Sequence, residues 1–192
     1  MGRPLNPFPF FSAWRRDDTS AAKLYGSIVA QARLPVFYQD VGVADTLQGR
    51  FVVLSLQLFA VLHRLRTEGP AAERLAQELV DRFGADMETV LREIGIGDLS
   101  IPKKVRALAA SGAALLHAYA AALAEGEAAM AAVIAEALPL QDGASGAVAE
   151  RLAHYLRDSL SLLRTQDFSA LRAGEVRFPG TIPGVKPGEE LT

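Results

Sequence analysis

The sequence predicts an all-α fold: a single-domain, irregular bundle of about five to seven helices that ends in an extended C-terminal tail. Three observations predict it. Apolar residues recur at helical spacing in several stretches, among them Leu47, Phe51, Leu54, Leu58, Leu62 and Leu65, and later Val148, Leu152, Tyr155, Leu156, Leu160 and Leu163. No stretch shows sustained period-two alternation or a concentration of β-branched residues, so strands find no support. A chain of 192 residues, 50% of them hydrophobic, can bury one sizeable core, and a second domain would be cramped.

The elements follow in order. Asp17, Asp18 and Thr19 offer N-caps for a first helix that runs to about Arg33, where Pro35 stops it by disfavouring helical geometry at Leu34. An irregular link from Leu34 to Ala44 comes next. Asp45 with Gln48 has the form of a capping box, and the leucine-rich helix behind it carries Leu56 and Phe59 on other sides, which makes it central. Gly69-Pro70 ends that helix and starts another, with Leu75, Leu79, Phe83, Met87, Val90 and Ile94 as its stripe. Gly84 lies within this stripe, and the sequence leaves open whether it splits the helix.

Gly95 and Gly97 mark a turn, Ser100 can cap the next helix, and Pro102 suits its first turn. The buried face expected there is Val105, Leu108, Gly112, Leu115, Tyr119 and Leu123, with Gly112 admitting a close neighbour. Ala107 to Ala124 carries no charge, but alanine supplies little transfer energy, so a buried helix of a soluble bundle is expected rather than a membrane span. A short alanine-rich helix from about Glu127 to Ala137 and a last long helix follow. From Asp167 the Gly- and Pro-rich tail is expected to run extended, packing through Phe168, Leu171, Val176 and Phe178. The domain reading is a flexible segment over 1–16, a helical domain over 17–178 and a flexible tail over 179–192.

Composition narrows the function. Lys and Arg number 20 against 22 Asp and Glu, so no global field favours nucleic acid, and none is expected as a partner. Zero cysteines exclude a disulfide scaffold, a thiolate metal site and a cysteine nucleophile, and suit a reducing compartment. No secretory signal is visible, which makes a cytoplasmic location the expectation. His63, His117 and His154 fall on three different predicted helices, none with a second ligand four residues away. Asp17-Asp18 reads as capping, and Gly95-Ile96-Gly97 lacks the preceding strand that a phosphate loop requires. No catalytic, metal-binding or cofactor-binding residue is assigned, and no enzyme is expected.

Recognition is the better reading of what remains. Phe37 and Tyr38 sit in a link with Pro35 and Gly42, flanked by Arg33 and Arg50. They are either ordinary core or interface anchors, because aromatics and arginine are enriched at such anchors. Lys103, Lys104 and Arg106 cluster at a helix start, where they oppose the macrodipole, so they form either a solvated face or a contact for a partner.

Three blocks carry a family resemblance. The first runs from Leu24-Tyr25-Gly26 through Gln31-Ala32-Arg33, Pro35 and Phe37-Tyr38 to Gly42, Asp45-Thr46 and Gly49-Arg50-Phe51. The second joins Asp86-Met87, Leu91-Arg92-Glu93, Gly95, Gly97-Asp98-Leu99 and Pro102-Lys103-Lys104. The third is Gly174-Glu175-Val176-Arg177-Phe178-Pro179. In these blocks the chain resembles the ubiquinol-cytochrome c chaperone family, in its bacterial form. Ala44, Gln57 and the run Ser111-Gly112-Ala113-Ala114 depart from the family pattern.

The resemblance implies a non-enzymatic assembly factor that binds newly made cytochrome b for respiratory complex III. The location expected is cytoplasmic, free or in peripheral contact with the cytoplasmic face of the inner membrane. Partner-binding residues are then expected at Tyr25, Arg33, Phe37, Tyr38, Arg50, Phe51, Lys103 and Lys104. The first aromatic set would line or support an apolar surface, with the basic residues at its edge. The alternative is a soluble binder of a quinone or other prenyl lipid, for which a closed, elongated apolar cavity would speak.

Overall fold

The structure is a computed structural model that describes residues 20–93, 101–139 and 145–182, the side chains of 71, 90–93, 101–109 and 145 excepted. Among the described residues it is all helix and loop, with no strand. In chain order the helices are α1 (Ser20–Ala32), α2 (Val36–Gln39), α3 (Leu47–Leu65), α4 (Pro70–Glu93), α5 (Ile101–Glu125), α6 (Glu127–Ala137), α7 (Ser145–Arg164) and α8 (Phe168–Ala173). The caps proposed at Asp17, Asp18, Thr19 and Ser100 lie outside the described residues, as do the Gly95 to Gly97 turn and the chain beyond 182.

Helix α3 is the axis of the bundle, packing against α1, α4, α5, α6 and α7. Its residues 51–61 are buried without interruption, as a helix apolar on every side requires. Leu47 departs from the expected stripe: it sits in the first turn and is 45% exposed. The expected faces of α4 and α7 are borne out at Leu75, Leu79, Phe83 and Met87, and at Val148, Leu152, Tyr155, Leu156, Leu160 and Leu163. Helix α4 runs unbroken through Gly84, since its packing outweighs a propensity loss of about 1 kcal/mol.

Four further sequence expectations need correction. The link is not wholly irregular: Pro35, whose fixed backbone angle suits a first turn, starts the single turn α2. The cap of α3 is Thr46, whose Oγ1 accepts from the Gly49 N–H at 3.1 Å, while Asp45 instead binds Arg50 and the Gln48 amide donates to the Ala137 carbonyl. Asp and Thr are both favoured caps, so where they are adjacent the sequence does not choose between them. The tail does not leave in extended form at Asp167; Asp167 caps α8 by accepting from the Ser169 N–H at 2.8 Å, and Gly174 closes that helix at φ 86°. Extended chain follows, held by Gln166, which donates to the Arg177 carbonyl at 2.7 Å and accepts from the Arg177 N–H at 2.8 Å.

The fourth correction concerns α5. Gly112, Tyr119 and Ala122 are buried, but Ala110, Ala113, Ala114, Ala121 and Ala124 are exposed, so one face of the charge-free run Ala107 to Ala124 meets solvent. Alanine gains little from burial, and a charge-free run can therefore form an outer face. No described helix is long and apolar enough to cross a membrane.

Candidate functional site

The link between α1 and α3 is built over a buried floor. Val41 and Val43 are buried, the Val43 N–H donates to the Phe37 carbonyl at 3.0 Å, and Arg151 of α7 donates to the Val41 carbonyl at 2.9 Å. Phe37 is wholly buried and meets Tyr155 of α7 edge to face, ring centroids 5.1 Å apart at 84°. The turn of α2 therefore has its shape set by α7 from beneath.

Tyr38 points the other way. It is half-buried, its hydroxyl donates to the Ala32 carbonyl at 2.8 Å, and the Arg50 guanidinium lies 5.4 Å from its ring centroid. Burial pushes the Tyr38 hydroxyl up to about 12, so it stays a donor through the neutral range. Arg50 is fixed in turn by Asp45, to whose Oδ1 its Nε donates at 2.6 Å. Arg33 is exposed and lies in the fields of Asp86 and Arg50.

The other expected residues divide by burial. Tyr25 is wholly buried and donates to Asp86 Oδ2 at 3.1 Å, with its hydroxyl raised well above the usual value by burial and by the Asp86 charge. Phe51 is buried too, and it belongs to the α4 and α5 contact: its ring lies 5.8 Å from that of Phe83, and both rings fill the space that Gly112 leaves without a side chain. Lys103 and Lys104 lie in the first turn of α5, and their side chains are outside the described residues. The structure thus brings Arg33, Tyr38 and Arg50 to one edge, sets Phe37 and Tyr25 below as core, and places Phe51 in packing.

Sequence reasoning missed four contributors. Leu34, at the start of the link, and Leu47, in the first turn of α3, are large apolar residues left 41% and 45% exposed. Pro35 beside Leu34 and the cap beside Leu47 were signals that both residues sit where a helix has just ended or begun. Asp45 and Tyr155 were missed as well; the first lies close to Arg50 in sequence, whereas the Tyr155 contact is far too distant in sequence to leave a local signal.

A second concavity lies between the end of α5, the start of α6 and the middle of α7. It is a half-open cleft of about 240 Å³ with Leu123, Met130, Ala153, Leu156 and Leu160 on its walls and Glu127 and Arg157 at its rim. Glu127 binds both His154 and Arg157, the latter at 2.6 Å, so the rim charges compensate one another. Among the described residues no group of three His, Cys, Asp or Glu could hold a metal.

The comparisons with known proteins agree with this architecture. The family model described as ubiquinol-cytochrome C chaperone matches residues 39–178. That span takes in Arg50, Phe51, Lys103 and Lys104 but begins just after Tyr38. The chain is also similar to a protein described as the Cbp3 homolog from Brucella abortus, known from its crystal structure. The two are 37% identical with a TM-score of 0.73, over 83% of this chain and 88% of that one. No curated sequence is significantly similar. With most of its length matched by the family model, and a fold shared with a relative at this identity, the chain belongs to the ubiquinol-cytochrome c chaperone family.

Proposed function

We propose that the protein is a non-enzymatic chaperone that binds newly made cytochrome b and assists assembly of the ubiquinol-cytochrome c reductase complex, holding its client on the edge formed by α1, α2 and the start of α3. Family membership supports the chaperone activity. The observation that carries the site is the fixed position of Tyr38, held by the Ala32 carbonyl on one side and Arg50 on the other, with Leu34 and Leu47 exposed nearby in the chain. A client that is a membrane helix bundle needs apolar surface, and a chaperone that stays dispersed when empty must keep that surface small and bordered by charge.

In this reading Tyr38, Leu34 and Leu47 meet the client, Arg33 and Arg50 take its polar groups, and Tyr25, Phe37 and Phe51 support the edge from the core. Lys103 and Lys104 extend the basic margin. The proposed place of work is the cytoplasmic face of the inner membrane, by peripheral contact. The alternative of a prenyl-lipid binder called for a closed, elongated cavity, and the cleft at α5, α6 and α7 is half-open and small.

Site-specific photo-crosslinking tests the assignment. A photoreactive residue at Tyr38 or Leu34, in cells making cytochrome b, should give a cytochrome b adduct, and one at exposed Glu150 on α7 should not. Adducts at Glu150 with none at either edge position would move the site elsewhere.

A further inference from the structure

Four exposed arginines gather at one end of the bundle. Arg64 brings the end of α3 onto the end of α7 through its bonds to the Leu163 and Gln166 carbonyls, each at 2.9 Å, and Gln166 in turn holds the backbone of Arg177. Arg66 and Arg164 stand beside these contacts in the chain and Arg177 lies in one of them, while the Arg172 guanidinium is 6.0 Å from the Phe168 ring centroid. All four are exposed, and none forms an ion pair among the described residues. The acids on the same segments are Glu68, bound to Arg64, Asp167, bound to the Ser169 N–H, and Glu175. Helix dipoles account for Arg66, Arg164 and Arg172 at the ends of α3, α7 and α8, but not for Arg177, which lies on extended chain.

The chain ahead of α1 joins the fold at this same end. Helix α1 begins at Ser20 and packs on α8: Lys23 lies so close to Gly174 that a side chain on the glycine would meet its Cβ, and the Ser27 hydroxyl donates to the Gly174 carbonyl at 2.8 Å. Before Ser20 the sequence carries Phe8, Phe10, Phe11 and Trp14, followed directly by Arg15 and Arg16. Aromatic rings beside arginines suit the headgroup layer of a bilayer, where the ring partitions and the guanidinium meets phosphate. Nucleic acid fits less well, because its binding draws mainly on charge and this chain has a net charge of -2, whereas ring partition needs no field. We propose that this end of the molecule is a lipid-binding surface, in which the aromatic and basic N-terminal segment enters the headgroup layer of an anionic bilayer and the four arginines contact its phosphates. The assignment deepens the peripheral membrane contact proposed above and rests on that reading. It places the α1 and α2 edge at the far end of α3, about 27 Å along a helix that rises 1.5 Å per residue, where client segments are met before they enter the bilayer.

The test uses the full chain and no client. Trp14 is the one tryptophan of the sequence, so its fluorescence reports the contact in unlabelled protein. With vesicles of equal parts phosphatidylcholine and phosphatidylglycerol, Trp14 emission should shift to the blue and the protein should co-sediment; with phosphatidylcholine alone it should do neither. One basic residue at an anionic surface is worth about fivefold in partition. Arg164→Gln should therefore weaken vesicle binding about fivefold, and Arg164→Lys, which keeps the charge, should stay within about twofold of the wild type. Arg157→Gln removes an equally exposed arginine about two turns earlier on α7 and should change binding less than about twofold. Equal losses from Arg164→Gln and Arg157→Gln, an unshifted Trp14, or equal binding to both kinds of vesicle would overturn the proposal, as would a preference for single-stranded RNA over anionic vesicles. Each of these results leaves the crosslinking test of the client site unaffected.

Discussion

The Tyr25 hydroxyl donates to Asp86 Oδ2 at 3.1 Å, joining α1 to α4 through a pair in which both residues are buried. A hydrogen bond to a charged acceptor is worth about 1.5 to 3 kcal/mol. Tyr25→Phe keeps the ring and its packing but withdraws the donor. The expected outcome is a loss of about that size in urea-induced unfolding, with helix content at low denaturant unchanged. A loss under about 0.5 kcal/mol would show that the pair adds nothing net.

Gly49 follows the cap of α3 at a point of close backbone approach. A methyl group there would overlap the Ala44 carbonyl oxygen and come within 3.0 Å of Val43 Cγ1, and both neighbours belong to the link. Since backbone cannot give way as a flexible side chain can, Gly49→Ala should cost about 1 to 3 kcal/mol and displace the link. Differential scanning calorimetry reads the first effect. Protease sensitivity between Leu34 and Ala44 reads the second.

Arg64 closes the end of α3 onto the end of α7. Its Nε donates to the Leu163 carbonyl and its Nη2 to the Gln166 carbonyl, each at 2.9 Å, and Nη1 serves Thr67 and Glu68. These carbonyls belong to the last turn of α7 and the residues after it, where helices leave acceptors unsatisfied. Arg64→Ala should cost about 2 to 4 kcal/mol. Arg64→Lys should recover little of this, because an ammonium cannot reproduce the fork of donors. Full recovery by lysine would reduce the contact to one of charge alone.

The chain has 4 tyrosines, and Tyr25, Tyr38, Tyr119 and Tyr155 all have pKa values raised by burial, Tyr38 to about 12. Above about pH 10 the unfolded chain loses phenolic protons that the folded chain keeps. The unfolded state then binds fewer protons, so stability is unaffected by these groups below that pH and falls as pH rises beyond it. Tyrosinate absorbance should appear together with the loss of helical circular dichroism. Tyrosinate forming near pH 10 with the helices intact would contradict the burial assigned to these side chains.

The helices were legible because their stripes are long and periodic: α4 and α7 present the residues that period predicts, and the extent of α6 agrees with its flanking Gly126 and Pro139. Local choices between similar options were not legible. Thr46 rather than Asp45 caps α3, and Asp167 opens a helix because its carboxylate finds the Ser169 N–H, a geometry that a Gly- and Pro-rich tail does not announce. The alanine face of α5 was hidden for a different reason, since alanine is nearly indifferent to burial. At the candidate site, sequence identified Phe37 and Tyr38 as a pair but could not separate them. Only the fold shows that Phe37 faces Tyr155 while Tyr38 faces Arg50.

The central claim is tested most directly by deleting the gene and measuring cytochrome b by haem staining and immunoblotting of membranes. The account predicts that cytochrome b and assembled ubiquinol-cytochrome c reductase fall together and that the wild-type gene restores both. Unaltered levels of both in the deletion strain would contradict it.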